Sequence, residues 1–271
     1  MNPRFSVNVT TTWQWDLGQC VDAYARLGIP AIGLTRLGLD QYGRDKGIQR
    51  VKDSGLKVSS YAGIGPYTVT EAQAFRQNVE AGIASMDVAV ELGAACVYVM
   101  AGPRGELSWE DAAARFAEAL GLLLPAARER GVRLAVEPIH PLRQDLTFVN
   151  TARDTVDLIE PFDPQHLGYV FDFWHLWWER GAAGTIARSV DRIFSVQVSD
   201  HKKVTMRTMD RAMLGEGVIP LRELLQALER AGYQGYYDME IISDDLAAMG
   251  YERALARIIP DWDALLDGID A

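Results

Sequence analysis

Five times along this chain an amphipathic stretch ends on a glycine and a short apolar run follows at once. Cys20–Leu27 leads through Gly28 to Ile29–Leu34, Ile48–Ser54 through Gly55 to Leu56–Tyr61, and Ala72–Leu92 through Gly93 to Ala95–Met100. Asp111–Arg130 leads through Gly131 to Val132–Glu137, and Leu221–Ala231 through Gly232 to Tyr236–Ile241. The amphipathic part reads as a helix and the short β-branched or aromatic run as a buried strand. Glycine at the junction supplies the left-handed residue that ends a helix. Ser108 and Thr151, each followed three residues on by Asp (Asp111, Asp154), read as N-caps. Phe5–Val9, Leu167–Asp172 and Ile193–Val198 bring the expected strands to eight. Repeated βα units force parallel strands joined by right-handed crossovers. Eight such units in 271 residues have the size of a (β/α)8 barrel. The expected fold is therefore α/β, a single-domain TIM barrel over residues 1–271. The rival is an open doubly wound sheet, but no G-x-G-x-x-G follows the first strand, so its dinucleotide-binding form is unsupported.

Composition narrows the function. Net charge is −10 and there is no Lys/Arg run, which argues against nucleic acid as a partner. No apolar stretch approaches the roughly 18 residues of a membrane span. The chain enters its first strand without the regions of a signal peptide, so a cytoplasmic location is expected. Cys20 and Cys96 read as two buried free thiols.

Four of the strands end on oxygen ligands. Arg133–Glu137 ends on Glu137, Gly168–Asp172 on Asp172, Phe194–Gln197 on Gln197 and Tyr237–Glu240 on Glu240. In a barrel these are strands five to eight, and their C-terminal ends open into one mouth. Three carboxylates and an amide suit one hard or borderline divalent cation. His140 follows Glu137 by three residues and His175 follows Asp172 by three, which sets both on loops above the cation as acid/base or hydrogen-bonding groups. His201 lies in a polar Asp200–Lys203 loop and His166 at the opposite end of the barrel. The other half of the mouth looks aromatic. Trp13 and Trp15 follow strand one and Tyr61 follows strand three, placed to stack on a sugar. In the cluster Trp174, Trp177 and Trp178 at least one ring should face the surface. Exposed aromatics are compatible with a homo-oligomer.

The Glu-Pro ending strand five, the Asp-x-x-His after strand six, Gln197 and Glu240 resemble the xylose-isomerase-like TIM-barrel superfamily, as does Leu214–Pro220 following Arg211. That group includes sugar isomerases and epimerases, inosose dehydratases, hydroxypyruvate isomerase and the endonuclease IV type of DNA-repair enzyme. The resemblance implies one divalent ion held by Glu137, Asp172, Gln197 and Glu240. Manganese is the first expectation; magnesium, cobalt and zinc are alternatives. It implies that Glu137 and Glu240 are the acid/base pair and that His175 and Arg211 contact substrate oxygen. Many epimerases have His where this chain has Gln197. The second strand, often ending in Glu, reads Gly33-Leu34-Thr35-Arg36, which leaves Arg36 as a candidate substrate contact. Endonuclease IV binds three zinc ions through further histidines; four histidines in all and the charge of −10 argue against DNA repair. Glu137–Pro141 and the Trp-rich Phe173–Trp178 also resemble the catalytic subunits of enzymes that cleave 3-oxo-glycosides and C-glycosides by elimination. There a histidine in the place of His140 is the base, and a small second subunit is usual.

The common chemistry is proton abstraction next to a carbonyl, with a cation stabilising the enediolate. The leading expectation is a metal-dependent isomerase or epimerase acting on a keto-sugar or related polyol. The alternative is a lyase on an oxidised sugar, either a 3-oxo-glycoside or an inosose. A non-catalytic sugar-binding barrel has no use for an acid/base pair.

Overall fold

The computed structural model describes residues 1–67, 70–205, 207 and 210–269. Eight parallel strands close a barrel: β1 (Phe5–Asn8), β2 (Ala31–Thr35), β3 (Lys57–Ile64), β4 (Val97–Val99), β5 (Leu134–Val136), β6 (Leu167–Asp172), β7 (Ile193–Val198) and, last in the chain, β10 (Tyr237–Met239). Chain order is spatial order around the ring, and β10 pairs with β1 to complete it. A two-stranded antiparallel hairpin, β8 (Asp200–His201) with β9 (Arg211–Ala212), stands in the loop after β7. The helices outside are α1 (Leu17–Arg26), α2 (Arg36–Tyr42), α3 (Arg44–Ser54), α4 (Ala72–Leu92), α5 (Trp109–Arg130), α6 (Ala152–Ile159), α7 (Phe173–Leu176), α8 (Ala182–Ser189), α9 (Leu221–Ala231), α10 (Asp244–Met249) and α11 (Tyr251–Leu266). Among the described residues no helix is long and apolar enough to cross a membrane.

The expected caps form: Ser108 and Thr151 accept hydrogen bonds from the N–H groups of Asp111 and Asp154. Gly55, Gly93, Gly131 and Gly232 end their helices in the left-handed conformation. Short elements were missed. Helix α2 begins directly after β2, and the β8–β9 hairpin has strands of two residues, too few for any period to show.

Side chains alternate between the two faces of a strand. On β6, Tyr169 and Phe171 join the core under the helices, whereas Val170 packs inside the barrel. Cys96, Tyr98, Ala135, Val170 and Phe194 form that inner cluster, and the Arg133 guanidinium lies 3.7 Å from the Phe194 ring centre. The next inner positions are polar. Ser6 Oγ donates to Asp238 Oδ1 at 2.6 Å and Asn8 Nδ2 to Oδ2 at 2.8 Å. Burial pushes this carboxyl up to about 7 against those hydrogen bonds. Gly33 faces it from β2; a Cβ there would lie 2.3 Å from Asp238 Oδ2, so only glycine fits. The barrel is thus plugged by apolar groups at one end and becomes steadily more polar toward the C-terminal ends of its strands.

Candidate metal centre and active site

The same alternation places Glu137, Asp172, Gln197 and Glu240 at the inner positions two residues beyond Ala135, Val170, Ser195 and Asp238. All four are buried. Gln197 stands in register with Asp172 on one side and Asp238 on the other. Glu137, Asp172 and His175 bring ligand atoms within 4.8 Å of one another; Glu240 lies outside that group. Its Oε2 is held by Arg211 Nη2 at 2.7 Å, and the same nitrogen lies 3.0 Å from Asp172 Oδ2. Arg211 is itself fully buried and donates through Nη1 to the Glu240 carbonyl at 2.9 Å. Its guanidinium bridges two of the carboxylates.

The electrostatics follow from crowding in a buried site. Burial lifts the Glu137 carboxyl well above the usual range, and the charges of Glu240 and Asp172 add to this. Asp172 and Glu240 are also raised by burial, with Arg211 opposing. Fully ionised, three carboxylates against one guanidinium leave two uncompensated negative charges. Gln197 Oε1 is buried and has no hydrogen-bond partner, a costly state for an amide oxygen. Two surplus charges and an orphaned oxygen fit a divalent cation.

His175 is the neutral exception. Burial, and then the charge of Arg211, lower it well below the ordinary imidazole range. Its Nδ1 accepts from the His140 N–H at 3.2 Å, so the ring proton sits on Nε2, 3.5 Å from Asp172 Oδ2. A metal-binding nitrogen carries no proton. In that tautomer Nε2–H points a donor at Asp172, and as a ligand within the Glu137–Asp172–His175 group the ring would have to give that proton up. His140 Nδ1 accepts from Leu142 N–H at 3.3 Å, which leaves the proton on its Nε2 as well. Burial lowers this ring too.

The indole of Trp174 is sandwiched in the same quarter, its centroid 5.6 Å from that of His140 and 5.2 Å from that of His201, which is stacked at 24°. Trp174 is buried and Trp178 is 41% exposed. His201, read as part of a polar loop, lies in this aromatic cluster because the β8–β9 hairpin folds it over α7; its local sequence carries no signal of that. Thr10 was also missed. Its hydroxyl lies 3.1 Å from Glu240 Oε1 and 2.8 Å from Asn8 Oδ1, and only its place just after β1 hints at it. His166 pairs with Asp163 at 3.0 Å, far from this site, as expected.

The aromatic half of the mouth is smaller than expected. Trp13 and Trp15 do line a cleft beside β1 and β2, and Trp15 packs edge-on against Tyr251 at 5.2 Å. Arg36 begins α2 at the end of β2 and reaches the Gly65 carbonyl at 3.4 Å. Tyr61 is a correction. Strand β3 runs three residues past it, so the ring does not follow the strand. It is buried under the helices, where Ser85 of α4 and Asp40 of α2 are its neighbours. Tyr61 is withdrawn as a sugar contact.

The fold recurs in known proteins. A curated relative, D-psicose 3-epimerase of Enterocloster bolteae, is 22% identical over 268 residues, covering 93% of this chain and 86% of its own. A solved structure of protein SMc04130 from Sinorhizobium meliloti 1021 has a TM-score of 0.89 at 29% identity, over 96% of this chain and 98% of its own. The structure of an IolI protein with a bound zinc atom has a TM-score of 0.87 at 17% identity, over 98% and 99%. The model of the xylose isomerase-like TIM barrel family matches residues 21–261, and with its closed eight-stranded parallel barrel the chain belongs to that family.

Proposed function

We propose that this protein is a divalent-metal-dependent sugar epimerase or isomerase that moves a proton next to the carbonyl of a keto-sugar. The observation that carries the reading is the buried mouth itself, with three carboxylates, one guanidinium and an unpartnered Gln197 oxygen. Glu137, Asp172, Gln197 and Glu240 would hold the ion. When bound, the ion supplies the positive charge that stabilises oxyanion character on the substrate. Glu137 and Glu240 come from β5 and β10, separated around the ring by β6 and β7, so they can face a substrate from two sides. Their raised proton affinity suits groups that take up a proton and give it back. Arg211 and Thr10 orient Glu240, and the Nε2–H of His175 is placed to donate to a substrate oxygen. The name of the Enterocloster relative supports a ketohexose as the first substrate to try.

The test is proton exchange. The enzyme with Mn²⁺ in D₂O should catalyse loss of a C–H signal next to the carbonyl of D-fructose or D-psicose, with an epimer appearing. No exchange in these or in other ketohexoses would defeat the reading, and release of an aglycone from a 3-oxo-glucoside would replace it with the lyase.

His140 separates the two chemistries. In elimination it is the base, whereas an Nε2–H imidazole beside Trp174 serves an epimerase only as a donor or a wall. His140→Ala should therefore slow epimerisation by less than about tenfold, short of the roughly 10²–10⁴-fold cost of losing a general base. A loss in that larger range, measured with metal content unchanged, would favour the lyase.

A further inference from the structure

Asp200 is buried, and among the described residues no cation pairs with its carboxylate. Lys202, two residues on, is taken by Asp210 and Asp245. The partners of Asp200 are four backbone N–H groups. Oδ1 accepts from His201 at 2.8 Å and Ile219 at 2.9 Å, and Oδ2 from Gly215 at 3.1 Å and Gly217 at 2.9 Å. Converging backbone N–H groups form the cradles in which proteins bind anions. Here the anion belongs to the chain itself. The contact leaves no slack: a Cβ at Gly217 would lie 2.3 Å from Asp200 Oδ1 and 2.4 Å from the His201 carbonyl oxygen. The Val218 N–H donates to that carbonyl at 3.0 Å. The turn Gly215–Ile219 is thus wrapped around Asp200.

Asp200 and His201 are also β8, paired with Ala212 and Arg211 of β9. A lone hairpin is marginal in water, and one with two residues on each side needs outside support. The turn leaves β9 through Met213 and Leu214 and comes back onto Asp200, so the carboxylate ties β9 against β8. Arg211 stands on β9. Its backbone N–H donates to the Ile242 carbonyl at 2.8 Å, and its Nη2 reaches Asp172 and Glu240. A long side chain keeps so exact a place only while its backbone is fixed. We propose that Asp200 is a positioning residue: by gripping the Gly215–Ile219 turn it fixes β9 and so sets the Arg211 guanidinium between Asp172 and Glu240. None of the four bonds made by Asp200 reaches the mouth, so it acts through Arg211. The effect on turnover rests on the epimerase reading; the placement of Arg211 holds whatever the reaction.

The experiment follows the Arg211 side chain by NMR in the full-length ¹⁵N-labelled protein. Its Nε is buried and without a partner, so in the wild type its N–H should give a separate signal that exchanges slowly with water, assigned by its absence in Arg211→Met. Asp200→Asn keeps the size of the side chain but turns an NH₂ toward backbone donors. Gly217→Ala leaves every charge in place and pushes the turn off the carboxylate. Each should shift the Arg211 signal and speed its exchange by about tenfold or more, with the fold verified by circular dichroism. Each should also lower kcat for ketohexose exchange by about 10–10²-fold, with KM changed less, the scale of a misplaced catalytic group. A purely structural Asp200 would leave both the signal and kcat of a folded variant where they were. The wild type alone supplies a third reading, because turn and guanidinium should open together: the Gly217 N–H and the Arg211 Nε–H should be protected to within about tenfold of each other. An Arg211 signal unmoved in either folded variant, or a Gly217 N–H that exchanges freely while Arg211 stays protected, would overturn the proposal. Ketohexose exchange by the wild type keeps the two readings apart. Exchange with an unmoved Arg211 signal removes the role of Asp200 alone, and a moved signal without exchange on any ketohexose removes the epimerase alone.

Discussion

Glu240→Gln should lose about 10²–10⁴-fold in turnover while the barrel stays folded. The amide keeps the shape of the carboxylate and can still approach Arg211 and Thr10, but it can neither accept a proton nor carry charge to a cation. The carboxylate is buried, with Oε2 held by Arg211 and Oε1 near Thr10, so its geometry is set on both sides. The loss should fall on kcat more than on KM, since the interaction removed is made in the transition state. Steady-state kinetics at saturating Mn²⁺ would check this, with circular dichroism to verify the fold. Near-normal turnover would mean that Glu240 is neither base nor essential ligand.

Arg211→Met should be the most damaging single change to the metal-free protein. The guanidinium is fully buried between Asp172 and Glu240 and also feels the charge of Glu137. Methionine fills much of the volume and removes the only cation described in the cluster. Breaking a buried ion pair from one side commonly costs about 3–5 kcal/mol, because the partner is left charged and unpaired. A divalent ion would compensate the same carboxylates, so Mn²⁺ should restore part of the loss by binding the folded state. Denaturant unfolding of wild type and variant, with chelator and with Mn²⁺, would measure both effects. A variant as stable as wild type in chelator would show that Arg211 does not hold the cluster together.

Much of this architecture was legible from spacing. Helix, glycine and strand repeated often enough to imply parallel strands, and the inner parity of Glu137, Asp172, Gln197 and Glu240 follows from their place at strand ends. What spacing cannot carry is the direction taken by a loop. Spacing alone gives Arg211 no place, and only the family resemblance marks it as a substrate contact; a two-residue strand pairing with Asp200–His201 delivers it between Asp172 and Glu240. The same hairpin stacks His201 on Trp174. Tyr61 failed for a simpler reason. One tyrosine near a strand end can be the last residue of the strand or the first of the loop, and three more residues of β3 turned it from the mouth toward α4. Gly33 carried no reading in the sequence, and the structure gives its reason: a Cβ there would meet the Asp238 carboxylate.

The most direct measurement is elemental analysis of carefully purified protein beside its Gln197→Leu variant. The wild type should hold one divalent ion per chain after Mn²⁺ loading and desalting. The variant, which lacks the unpartnered oxygen, should hold far less while remaining folded, and keto-sugar exchange should fall in step with its metal content. A wild type that retains no ion, and whose activity does not respond to Mn²⁺, Co²⁺ or Mg²⁺ after chelation, would contradict a metal centre built from Glu137, Asp172, Gln197 and Glu240.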